Sequence, residues 1–278
     1  WTCNFVRPVE KSLHDFVKAS NLNVDLNSLT RSKDIRTMIA GCGTGQQILG
    51  SLNSFRSSNI LAFDLSVSSL AYARRKVEEL DIHNVEFMQG DILNLSALDD
   101  HFDVIECSGV LHHMEDPTLG WSIICDRLRS GGLMKIGLYS ASARNNISTI
   151  RREISELSIE PNEQNMRVFR NHLINSDVEH HKGLKDNGDF YSLSNFRDLL
   201  FNAHETHFTI PQIKDVLAEL GLVFCGMSNW RSVIRSGHTM PDGKQSYFDL
   251  DWWDDFEKLN PGAFLGMYQF WCQKNQSN

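Results

Sequence analysis

From Ile35 onward, short apolar runs alternate with segments whose apolar positions recur at helical spacing. Met38-Ile39-Ala40 runs into three alternating glycines, Gly41, Gly43 and Gly45, and a helical segment carrying Ile48, Leu49 and Leu52 follows. Asn59 to Asp64 is a second strand closed by an acid, after which Ser66 caps a helix with Leu70, Ala73, Val77 and Leu80 on its inner face. Val85 to Asp91 predicts a third strand, again ending in an acid. Phe102 to Cys107 predicts a fourth, leading into Ser108-Gly109-Val110-Leu111-His112-His113. Asp116-Pro117 opens a helix with Trp121, Ile124 and Leu128 on one face, Gly131-Gly132 is expected to stop it, and Leu133 to Tyr139 predicts the fifth strand. The rhythm breaks over 141–208, which is polar and mostly helical in pattern. It returns at the capping box Thr209-x-x-Gln212, with a helix faced by Ile213, Val216, Leu217 and Leu220. Leu222 to Met227 and Gly266 to Cys272 are the sixth and last strands.

Strands and helices that alternate across short turns predict an α/β, doubly wound, Rossmann-like sheet, mostly parallel and seven-stranded. Residues 35–140 and 209–278 form its core, and 141–208 read as a helical lid inserted after the fifth strand. Residues 1–34, with a short helix over Lys11–Ala19, read as an N-terminal extension: a lid or a linker. Ligands of such sheets bind outside the carboxyl ends of the strands. The glycine loop, Asp64, Asp91 and the His112-His113 pair all fall there.

Charge and cysteines narrow the function classes. A net charge of -8 over 278 residues argues against a broad phosphate-binding surface, so nucleic acid is not the expected partner. No apolar run reaches membrane-spanning length. The cysteines at 3, 42, 107, 125, 225 and 272 form no C-x-x-C pair and fit free thiols in a cytoplasmic protein better than a disulfide framework. Trp1 in place of methionine suggests that sequence precedes this chain.

The glycine loop is either a plain turn or a ligand cradle. Glycine lets a ligand approach the backbone, and a helix N-terminus favours a negative group on that ligand. A dinucleotide fingerprint needs glycine where Gln46 stands. Gly41-x-Gly43-x-Gly45 suits a carboxylate-bearing nucleoside better than a pyrophosphate.

With these residues assembled, the chain resembles the class I S-adenosylmethionine-dependent methyltransferases. The resemblance implies S-adenosyl-L-methionine as cofactor and transfer of its methyl group to an oxygen or nitrogen of a small-molecule or peptide acceptor. It places the methionine part of the cofactor along Gly41, Cys42, Gly43, Gly45 and Gln46. Asp64, with Leu65, would take the ribose hydroxyls; Asp91 and Ile92 the adenine; and Cys107, Ser108, Gly109 and Val110 would flank the methyl-donor end. Arg129-Ser130-Gly131-Gly132 is similar to the family's turn, with serine for proline. A narrower resemblance, carried by Asp189 to Leu193, Phe196 to Phe201 and His207-Phe208-Thr209, is to bacterial methyltransferases often joined to tetratricopeptide repeats. It leaves room for an upstream repeat domain.

Some small-molecule O-methyltransferases carry a similar Leu-His-His and use a histidine as base. His112 and His113 are therefore the candidate catalytic pair, against a structural role, with no choice between them. Tyr139, Tyr191, Arg197 and His204 are candidate acceptor residues, against a purely structural lid. His180-His181 and His204-x-x-His207 invite a metal, but no flanking cysteine or carboxylate framework supports one, and none is expected. The rival functions are a nicotinamide-dependent oxidoreductase, disfavoured by Gln46, and a non-catalytic cofactor-binding module.

Overall fold

The structure is a computed structural model that describes residues 9, 11–56, 59–202, 205–228, 230–235, 241, 246–264 and 266–276. The apolar runs form the strands β1 (Arg36–Ala40), β2 (Asn59–Asp64), β3 (Val85–Gln89), β4 (Phe102–Ser108), β5 (Leu128–Tyr139), β6 (Leu222–Met227) and β7 (Met267–Lys274). They make one sheet in the order β3-β2-β1-β4-β5-β7-β6. The pairs from β3 through β5 are parallel, in register Ala40↔Phe63, Ile60↔Val85 and Met38↔Ile105. β7 runs antiparallel to both its neighbours, β5 and β6. The chain order turns back between β1 and β4, which leaves a crevice at the carboxyl ends of these strands.

Period-two alternation sends each strand's apolar residues to both faces. Met38, Phe63, Ile105, Met134 and Phe270 join the core beneath α4 (Pro117–Asp126), α9 (Ile210–Glu219) and α10 (Leu250–Leu259). On the other face, Ile39, Ile60 and Ala62 meet α2 (Gln46–Leu52) and α3 (Val67–Glu79). Asp116 caps α4 through Leu119 N–H, Ser66 caps α3 through Ser69 N–H, and Thr209 with Gln212 closes the capping box. Trp252, Trp253, Phe256 and Trp271 are buried core residues.

Two expectations are corrected. Among the described residues, the N-terminal stretch packs on a sheet face rather than over the strand ends. Its helix α1 (Leu13–Ser20) packs Leu13, Phe16 and Val17 against Val104, Leu133, Cys225 and Trp271 on a sheet face. Gln273 pins the segment by accepting from Asp25 N–H (2.8 Å) and donating to Asp25 O (3.1 Å). The glycine pair does not stop α4, which ends at Asp126 with Arg127 as its cap. Leu128 already belongs to β5, and Gly131 and Gly132 lie within that strand. Gly131 has φ +74°, and a Cβ there would lie 2.1 Å from the Ser28 carbonyl oxygen. The glycine is required by close passage of the N-terminal segment.

Between β5 and α9 the chain forms α5 (Asn145–Glu156), α6 (Glu163–Asn175), α7 (Glu179–Lys182) and α8 (Leu193–Leu200). Ile147, Ile150, Ile154, Phe169, Leu173, Phe190 and Phe196 give these helices an apolar cluster of their own.

Gly131→Ala combines left-handed strain with a backbone collision and should cost about 2–3 kcal/mol. A lower urea midpoint with unchanged m-value is the expected result; an unchanged midpoint would show that the Ser28 segment yields freely.

Candidate active site

The loop after β1 is held from the end of β2. Phe63 O accepts the N–H groups of Gly41 (2.8 Å) and Cys42 (3.0 Å). Asp64 Oδ2 accepts from Gly43 N–H (2.7 Å), and Oδ1 accepts from Ser66 N–H (2.8 Å). Gln47 Nε2 donates to Ser108 O (2.8 Å), fastening α2 to the end of β4. Gly41, at φ +74°, is packed so tightly that a Cβ would fall 2.1 Å from a Val110 methyl. Gly43 and Gly109 also have positive φ, but a Cβ there would meet nothing within 4 Å. Their backbones are therefore open to a ligand.

A cavity of about 250 Å³ lies at this point, lined by Gly41, Phe63, Asp64, Leu65, Gly90, Asp91, Ile92, Gly109, Val110, His113 and Met114. The structure thus brings Gly41, Asp64, Leu65, Asp91, Ile92, Gly109 and His113 together, as their positions at the strand ends predicted. Leu65 lines it as a residue 66% exposed, an apolar surface at the cavity mouth. Asp91 caps the next turn through Leu93 N–H (3.0 Å). Gly43 and Gly45 shape the loop, and Gln46 is the exposed first residue of α2.

The cysteine side chains are placed elsewhere. Cys42 packs among Ile39, Ile48 and Leu70 on one face, and Cys107 among Met134, Ile136 and Trp121 on the other. Burial pushes both thiols up to about 12, so neither is a thiolate. The Ser108 hydroxyl faces Met267 Sδ at 3.7 Å. Phe63, Gly90 and Met114 are lining residues that the sequence analysis did not single out.

The two histidines are in different surroundings. His112 is fully buried, and neither ring nitrogen has a hydrogen-bond partner among the described residues. Its ring stacks on Tyr139 at 3.7 Å between centroids. Burial, reinforced by His113, drives its pKa down to about 3, so it stays neutral. His113 lines the cavity, and its Nδ1 meets Asn202 Nδ2 at 3.0 Å.

The far face of Tyr139 carries the Arg144 guanidinium, 3.6 Å from the ring centroid. Arg144 donates both Nε (2.9 Å) and Nη2 (3.1 Å) to Glu205, whose side chain is 1% exposed. Arg151 (2.9 Å) and His207 (2.6 Å) complete the carboxylate's partners. Burial alone would raise the Glu205 pKa. The His207 hydrogen bond and the two arginines overcome it and hold the group at about 2. His207 is thus engaged by an acid, and His204, its partner in the spacing considered from sequence, lies outside the described residues. Tyr191 and Arg197 do not line the cavity. Tyr191 is 65% exposed with its hydroxyl on Lys185 O (2.8 Å), and Arg197 faces solvent on α8.

With this geometry in place, comparison with known proteins is decisive about family. The family described as "Methyltransferase domain" matches residues 31–198, more than half of the chain. The chain belongs to this family. It carries a methyltransferase domain, and S-adenosylmethionine is the cofactor of that domain. An uncharacterized protein of Synechococcus sp. is 27% identical over 245 residues, covering 81% of this chain and 57% of the relative. The trans-aconitate 2-methyltransferase of Deinococcus radiodurans is 28% identical over 113 residues, 40% of this chain and 41% of that protein. The chain therefore spans about half the length of these relatives. The solved structure of PKMT2 from Rickettsia typhi in complex with AdoHcy shares the fold, with a TM-score of 0.67 at 16% identity, over 95% of this chain and 53% of that one.

The cavity fits such a cofactor. A carboxylate has about four acceptor sites, and Asp64 uses two on backbone N–H groups, so two remain that would be available to the cofactor's ribose hydroxyls. Losing two charge-assisted bonds of about 1.5 kcal/mol each should make Asp64→Ala bind the cofactor on the order of a hundredfold more weakly by calorimetry. Unchanged affinity would remove Asp64 from the site.

Glu205 also carries a pH signature. Its folded pKa is depressed from 4.5 to about 2, so its stabilising contribution is complete above the unfolded value and is lost as pH falls through that window. Glu205→Gln, which leaves two arginines uncompensated, should cost about 3–5 kcal/mol near neutrality. The gap from wild type in urea denaturation should then narrow on acidification. A gap independent of pH would show that the carboxylate charge is not what the arginines need.

Proposed function

We propose that the protein transfers a methyl group from S-adenosylmethionine to an oxygen or nitrogen of an organic acceptor, a small molecule or a peptide side chain, with His113 as general base. One observation carries the reading: a single cavity joins the glycine loop, Asp64 and Asp91 to His113. Bound S-adenosylmethionine supplies a methyl group on a sulfonium, already activated for displacement. The chain's own residues then have to position the acceptor and take its proton.

Asn202 decides whether His113 can do so. With its amide nitrogen toward Nδ1, Asn202 donates, and the imidazole proton sits on Nε2. With the amide turned by 180°, its oxygen accepts Nδ1–H and leaves the Nε2 lone pair as the base. Asn202 is thus a positioning residue for the tautomer. His112, buried behind the cavity lining and held neutral, is the less suitable member of the pair.

The helices between β5 and α9 are read as a lid on the acceptor side. Their C-terminal stretch reaches the histidines directly: Asn202 contacts His113, and Thr206 N–H donates to His112 O (2.8 Å). The resemblance over 189–209 favours a subgroup often joined to tetratricopeptide repeats, so a repeat segment in a longer chain is the expected partner. The described cysteines are free and buried, which favours a cytoplasmic location. No helix among the described residues is long and apolar enough to cross a membrane.

The test is release of S-adenosylhomocysteine in a screen of hydroxylated and amine-bearing small molecules and peptides. For the acceptor found, His113→Ala should lower turnover by roughly 10²–10⁴ while cofactor affinity holds. Full turnover in the His112→Ala, His113→Ala double variant would end the base assignment. Failure of the protein to bind S-adenosylmethionine would end the whole proposal.

A further inference from the structure

A second cluster of chemistry-bearing side chains lies away from the cavity. Glu153 sits near the end of α5, and the one-turn helix α7 presents His180 and His181 to it. His180 Nε2 is 2.5 Å from Glu153 Oε1, and His181 Nε2 is 2.8 Å from Glu153 Oε2. These three donor atoms lie within 4.8 Å of one another. His181 is 3% exposed at its side chain, whereas His180 and Glu153 are about a quarter to a third exposed, at 27% and 29%. The carboxylate that the sequence does not place beside the histidine pair is therefore present, supplied from 27 residues upstream.

We propose that Glu153, His180 and His181 bind a divalent transition-metal ion, Zn²⁺ by its donor preference, and so fasten α5 to α7. Two imidazoles and one carboxylate are a recognised zinc donor set, with water in the fourth position. Tetrahedral bonds of about 2.1 Å separate neighbouring donors by roughly 3.4 Å. Loading the ion thus requires the His–Glu contacts to open by up to about 1 Å and the widest donor separation, within 4.8 Å, to close toward the same spacing, and the partly exposed Glu153 and His180 side chains can supply that movement.

The surroundings support the ion beyond its direct ligands. Metal-bound imidazole usually donates its other N–H to a fixed acceptor. His181 Nδ1 lies 2.7 Å from Ser176 Oγ, which is itself held by Val178 N–H at 3.2 Å. A neutral His181 that binds through Nε2 therefore moves its proton to Nδ1 and donates it to Ser176. Two histidinium ions on one carboxylate would repel each other, whereas a dication uses all three donors at once.

The site joins helices that enclose an apolar cluster separate from that of the sheet. α5 also carries Arg151, and Arg144 precedes it; both bind Glu205 beside Tyr139. An ion at Glu153 would therefore stiffen the element from which the acceptor side is held.

The full chain, stripped with EDTA and dialysed, should take up one equivalent of Co²⁺ with the visible bands of a tetrahedral complex. Zn²⁺ should displace the Co²⁺ and raise the melting temperature. Glu153→Gln with His181→Gln should lose both signals, and His101→Gln, at an exposed site, should keep them. X-ray absorption of the Zn²⁺-loaded wild type, which needs no variant to fold, should show imidazole and oxygen ligands. Thiolate ligation, equal uptake by the double variant, or no uptake by wild type would each overturn the proposal and leave a proton-bridged triad. None of these readouts depends on methyl transfer.

Discussion

Asp64 is the point on which the candidate site turns. β1 and β2 are parallel and in register, so Ala40 and Phe63 end at the same level, and the chain after β1 runs beside the end of β2. Phe63 O and Asp64 then hold three successive residues of that chain by their N–H groups. A glycine-rich segment would otherwise be loose. Here it is tied on one side to β2 and, through Gln47, to the end of β4 on the other. Asp64 also lines the cavity, so one carboxylate shapes the cradle and, in the proposed function, would offer the cofactor's ribose an acceptor. The coupling means that the turn and the ligand contact cannot vary independently.

What the sequence makes legible is whatever repeats with a period or closes a strand. The apolar runs place all seven strands, and the acids at 64 and 91 land in one cavity because parallel strands end together. Gly131-Gly132 shows the limit. In sequence it has the appearance of a helix stop, and only the passage of Ser28 over β5 explains why the glycine is needed. The first residues fail for a similar reason: α1 is short, and its burial depends on Val104, Cys225 and Trp271, far away in the chain. Glu205 has no local signature at all. It is one acid in a polar stretch, and its partners lie 61 and 54 residues upstream and two downstream.

The adjacent histidines show why composition cannot assign roles. They share a motif, yet one turn sends His112 beneath Tyr139 and His113 to the cavity wall. Desolvation penalises the charged imidazole at the first position. The second has the amide of Asn202 at its Nδ1, a group that can select either tautomer. The functional difference is therefore made by neighbours that arrive from β5 and from the stretch after α8.

The polar character of residues 141–208 acquires a physical reason from the two acids that organise its edges. Glu205 faces the sheet and gathers Arg144, Arg151 and His207; Glu153 faces outward and gathers His180 and His181. Between them, the face of α5 carrying Ile147, Ile150 and Ile154 supplies the apolar packing. A buried carboxylate with three cationic or donor partners fixes geometry more narrowly than an apolar contact, because any shift strands a charge. The end of the segment that contacts Tyr139 and the histidines is therefore the stiff one. Variation in the outer helices can then proceed without disturbing the cradle, which is why the cradle reads clearly from sequence and the 141–208 segment does not.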